Sequence, residues 1–134
     1  MDDGVELIRS GDQVLCYIIH PDLQVQKTTF ITPVDARQQV GFIVYPRGGA
    51  IRRHAHRPLE RHLVGMSEVL IVRSGHAQMD IYDEAHQLVT TRDLLAGAVV
   101  VLVSGGHGFR LLEDTVMLEI KQGPYLGEQD KELF

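Results

Sequence analysis

Residues Gly48–Gly75 read GGAIRRHAHRPLERHLVGMSEVLIVRSG. His54 and His56 stand two apart in this stretch, His62 follows, and Glu68 opens an apolar run that closes at Gly75. Alternate residues of an extended chain point to one side, so His54 and His56 project together if the segment is extended. Neutral imidazoles and a carboxylate converging on one point are the donors that a first-row divalent metal takes. A further histidine, His107 in VSGGHGF, is the candidate to complete such a set.

Outward from this stretch, short β-type runs recur: VELIR, QVLCYII, TTFI, QVGFIVY, SEVLIV, AQMDIY, QLVTT, AVVVLV, GFRLL and TVMLEIK. Turn-forming breaks such as SGD, TPVD, PRGG, YDEAH and LEDT separate them. Many short strands at this spacing mean a β-sandwich or barrel, and no segment carries a sustained apolar stripe at helical spacing. Residues 1–134 are therefore expected to form a single domain, an eight-to-eleven-strand barrel of jelly-roll type.

Some runs have readable faces. In AQMDIYD, Ala77, Met79 and Ile81 should face the core, with His76 outside. His86 in YDEAHQ and His20 in His20-Pro21-Asp22 are expected in solvated turns. QVGFIVY is apolar on both faces, as in a strand covered by the core and by a subunit partner, so a homodimer is expected. The tail QGPYLGEQDKELF is expected to pack without chemistry, over the surface or folded back on Tyr125 and Phe134.

Composition excludes several classes of function. The chain is 44% hydrophobic and 23% charged, with a formal charge of −5, which argues against a nucleic-acid partner. Its one cysteine, Cys16, lies in the apolar run VLCYII and cannot form an internal disulfide. The acidic N-terminus has no secretory apolar core and no run reaches membrane-spanning length, so no membrane partner and a cytoplasmic location are expected. Nucleophile elbow, phosphate loop and cysteine-pair zinc motifs are all absent.

The stretch resembles the cupins. Their first motif is Gly, five residues, His-x-His, three or four residues, Glu, six residues, Gly. Here Gly48, five residues, His54-Ala-His56, eleven residues, Glu68, six residues and Gly75 follow one another. The second motif is represented by Gly97, Val103-Ser104-Gly105 and His107, without the usual Pro and Asn. The wider text, GGHGF with LLED and EIKQGPYLG, is similar to small cupins associated with nucleotide-sugar and polysaccharide pathways.

The resemblance implies a cupin-type jelly-roll barrel holding one divalent metal ion, Fe, Mn, Ni or Zn, through His54, His56, Glu68 and His107. His62, in the lengthened loop, is the alternative to Glu68. Arg52 shares parity with His54 and His56, and its guanidinium would suit a substrate carboxylate or phosphate. The expected function is a metal-dependent enzyme, of oxygenase or isomerase type, acting on a small polar substrate such as a sugar or carbonyl acid. Two alternatives stand beside it: a non-catalytic metal- or sugar-binding module, and a metal-free epimerase or ketoisomerase with a histidine base.

Overall fold

Nearly every apolar run of the sequence becomes a strand in the computed structural model, which describes residues 4–134. In chain order the strands are β1 (Val5–Ser10), β2 (Gln13–Ile19), β3 (Thr29–Phe30), β4 (Gly41–Phe42), β5 (Glu68–Ser74), β6 (His76–Tyr82), β7 (Leu88–Leu95), β8 (Val99–Leu102), β9 (Gly106–Leu111) and β10 (Val116–Lys121). A 3-10 turn, Gly127–Asp130, lies in the tail. The protein is all-β and every strand pair is antiparallel. Two compact units emerge, residues 24–65 and residues 4–23 with 66–134.

The larger unit has a five-stranded sheet in the order β1-β2-β8-β5-β10 and a three-stranded sheet in the order β7-β6-β9. One apolar cluster joins them, with Leu15, Ile18, Val72 and Val100 from the first and Met79, Ile81 and Leu94 from the second. Strand β6 alternates as its sequence requires: Ala77, Met79 and Ile81 are buried, and His76 lies on the outer side, where its Nε2 is 3.0 Å from Asp93 Oδ1. Cys16 is in the core, and burial pushes its thiol up to about 12. No closed barrel is detected among the described residues; the sheets are three separate antiparallel ladders.

The smaller unit departs most from expectation. QVGFIVY contributes only the two-residue strand β4, paired with β3, and Ile43 and Tyr45 are each more than half exposed. Side chains take the place of the missing ladder. Thr28 Oγ1 accepts from Val44 N–H at 3.0 Å, and Thr32 Oγ1 accepts from Val40 N–H at 2.9 Å. The Gln39 amide donates to the Pro33 carbonyl at 2.8 Å. Backbone groups satisfied in this way need no neighbouring strand.

Two histidines expected in solvent have partners. His86 stacks on Phe134, with ring centres 3.9 Å apart and planes at 8°, so the tail does fold back on Phe134; Tyr125 remains exposed. His20 Nε2 is 2.7 Å from Glu6 Oε1, and Arg92 Nε donates to Glu6 Oε2 at 2.9 Å. Glu6 precedes core residue Ile8 by two, and Arg92 precedes Leu94 by two, so this polar group lies between the sheets. Burial raises the Glu6 carboxyl, but the bonds from Arg92 and His20 outweigh it and hold the group below its usual range.

A folded-state pKa below the unfolded one gives stability that is present above about pH 4.3 and lost as pH falls through the folded value. Glu6→Gln is therefore expected to cost roughly 1 kcal/mol at pH 7. The difference from the parent should shrink in acid. Urea denaturation at pH 7 and pH 3 measures it; an equal gap at both would refute the role of the charge.

Candidate functional site

Strand β5 begins at Glu68 and continues Leu70 and Val72 on the core face. The segment before it is pinned on both sides. Ser67 N–H donates to Gln122 Oε1 at 2.8 Å, and Ser67 Oγ donates to the Leu102 carbonyl at 3.1 Å. Glu68 thus enters the space between the sheets where the apolar stripe starts. From the other sheet His107 does the same: it pairs with buried Ile81 and shares a face with Phe109, which packs on the core.

Glu68 Oε1 and His107 Nε2 stand 3.3 Å apart, both side chains mostly shielded from water. Hydrogen bonding with His107 holds the Glu68 carboxyl down to about 2 against the opposing effect of burial, and Glu119 and Lys121 lower it further. Glu119 moves the other way: its bond to Glu68 and its partial burial raise it. Lys121 Nζ lies 3.6 Å from Glu119 Oε2 and 5.8 Å from the centre of the Tyr125 ring.

Glu119 and Lys121 were not among the residues expected from the sequence. In TVMLEIK the apolar set Val116, Leu118 and Ile120 invites burial, yet all three are exposed and Met117 packs on the core. Glu119 and Lys121 share the Met117 face, and Lys121 pairs directly with Glu68. Met117 followed by two charges at the same parity was the one available signal.

The smaller unit carries the His-x-His pair. The segment forms no strand, but the two rings still meet edge to face with centres 5.3 Å apart. The Arg52 carbonyl lies 2.9 Å from His54 Nδ1 and can only accept, so Nδ1 donates to it and Nε2 is the ring nitrogen that faces other partners. Arg52 and His62 are exposed. The expected ligands are thus paired two and two, one pair in each unit. Among the described residues no three His, Cys, Asp or Glu side chains form a metal-holding group.

Fold and site together define an all-β antiparallel protein with an imidazole–carboxylate centre between two sheets. No protein-family model matches the chain, and comparison with curated proteins and with solved structures gives no match.

Gly105 sets the entry of β9. Its φ is +73°, and a Cβ there would lie 2.2 Å from the Tyr82 carbonyl oxygen. Gly105→Ala is expected to lose at least about 2 kcal/mol of stability, because both the left-handed backbone and the close approach exclude a side chain. Chemical denaturation checks this, and an unchanged midpoint would contradict it.

Proposed function

We propose that residues 1–134 act as one cupin-type jelly-roll domain that binds a single divalent metal ion, Fe, Mn, Ni or Zn, through His54, His56, Glu68 and His107. The observation that carries this reading is the 3.3 Å between Glu68 Oε1 and His107 Nε2. Two donors about 2.0–2.2 Å from a shared metal stand about 3.0–3.4 Å apart at right or tetrahedral angles. The 3.3 Å spacing accommodates a shared metal as well as the hydrogen bond that lowers the Glu68 carboxyl. An ionised Glu68 and a His54 Nε2 that faces other partners suit metal binding.

A bound metal would supply Lewis acidity or dioxygen activation for an oxygenase- or isomerase-type reaction on a small polar substrate such as a sugar or carbonyl acid. Glu68 and His107 would hold it from the two sheets, and Arg52 would anchor an anionic group of the substrate. The same pair supports a second reading. A carboxylate set against imidazole Nε2 is also a dyad, in which Glu68 orients His107 as the general base of a metal-free epimerase or ketoisomerase. A cytoplasmic location and a homodimer complete the proposal; exposed Val116, Leu118 and Ile120 on edge strand β10 give the dimer an apolar surface.

Protein purified without a histidine tag is expected to hold one metal per chain by elemental analysis. His54→Ala with His56→Ala should abolish it while the β-rich circular dichroism persists. In Mn(II) or Zn(II) titrations Glu68→Ala should weaken binding by more than the about 10–100-fold typical of outer-shell changes, and by more than His62→Ala. Full occupancy in the double variant, or tighter binding by the Glu68 variant, would overturn the ligand set. A metal-free parent protein would leave the dyad.

Light scattering at micromolar concentration should give the dimer mass. A monomer would refute the assembly.

A further inference from the structure

Strand β9 is an edge strand that pairs only with β6, and its first rung sets Gly106 against Tyr82. The end of an edge strand opens readily unless something outside the ladder holds it. His107 is the next residue along, so any play in this rung reaches the side chain that stands 3.3 Å from Glu68.

The tail lies over the rung. The Phe134 ring meets the Tyr82 ring edge to face, with centres 5.1 Å apart, and stacks on His86 in the turn between β6 and β7. It also uses the space that Gly106 leaves: a Cβ there would lie 2.7 Å from Phe134 Cζ, too close for both to stay. His86 holds a left-handed φ of +63°, uncommon for a residue with a side chain, and presents its ring flat against Phe134. One ring thus touches the last residue of β6, the turn that follows it and the first residue of β9.

We propose that the tail is a clamp: Phe134, seated on Tyr82, His86 and Gly106, fixes the start of β9 to β6 and so holds the backbone from which His107 reaches Glu68. Tyr82 and Gly106 lie on the sheet face opposite Ile81 and His107, so the clamp acts from behind the site and blocks nothing in it. Phe134 is 61% exposed, and two ring contacts are weak holds. The clamp can therefore lift while the core between the sheets stays packed. Its bearing on function rests on the reading of Glu68 and His107 as the functional centre; its mechanical effect does not.

Nuclear magnetic resonance on the full chain tests the clamp. Phe134→Ala should move the His86 ring signals, which the stacked ring shifts in the parent. Amide exchange across residues 106–109 should speed up about tenfold, as expected from losing two aromatic contacts. Val72 and Val100, in the core, should exchange as before. Gly106→Ala should move the His86 signals in the same way, because its methyl displaces the ring with the tail intact. Adding Phe134→Ala to Gly106→Ala should then change little more.

Unmoved His86 signals in Phe134→Ala would overturn the seating of the ring. Moved His86 signals with parental exchange at 106–109 would overturn the clamp. So would equal acceleration at Val72 and Val100, which marks general destabilisation. A parent protein with neither metal nor activity removes the reading of Glu68 and His107 and leaves the clamp. Parental exchange in Phe134→Ala removes the clamp and leaves that reading.

Discussion

The packing of the five-stranded sheet on the three-stranded sheet, through Leu15, Ile18, Val72, Met79, Ile81 and Leu94, is the constraint that every polar group in the larger unit must meet. Side chains between the sheets lose water, and a charge placed there is tolerated only with a partner. Strand period 2 then fixes where charges can sit: on the core face, just beyond the apolar stripe. Glu68 precedes Leu70 and Val72, His107 precedes Phe109, and Glu119 and Lys121 follow Met117. A one-residue slip in β5 would send Glu68 outward and bring Val69 in.

Glu6 and Glu68 each anchor a polar group in the larger unit, and their chemistry differs. In the first, Glu6 meets a full cation, Arg92, at 2.9 Å and an imidazole at 2.7 Å. Both carboxylate oxygens are engaged, and the arrangement is complete as it stands. The second holds two carboxylates, one ammonium and one imidazole, with wider spacings of 3.3 Å and 3.6 Å.

Outside the core, side-chain hydrogen bonding does what ladders do within it. Thr28, Thr32 and Gln39 satisfy backbone groups of the smaller unit, which keeps its strands to two residues each. The same device acts at His54, whose Nδ1 donates to the Arg52 carbonyl. Short polar side chains compete with β pairing wherever no second strand enforces it.

Period-2 alternation made most of the larger unit legible in the sequence: β1, β2 and β5 to β10 were all readable as apolar runs, and the buried set of β6 as Ala77, Met79 and Ile81. Glu68 and His107 each stand beside an apolar run in the sequence, and the structure brings their side chains to 3.3 Å. Alternation reports which residues share a face but not which face is covered. That is why QVGFIVY reads as a doubly buried strand, and why the charges of β10 are hidden behind its apolar set. Partners distant in sequence are invisible to local pattern, as with His20 on Glu6 and His86 on Phe134. The sequence by itself determined the strands and their parity, since these follow from side-chain period. Only the tertiary structure decided which faces meet, because burial depends on the sheet laid opposite, and that is set by contacts between residues far apart in the chain.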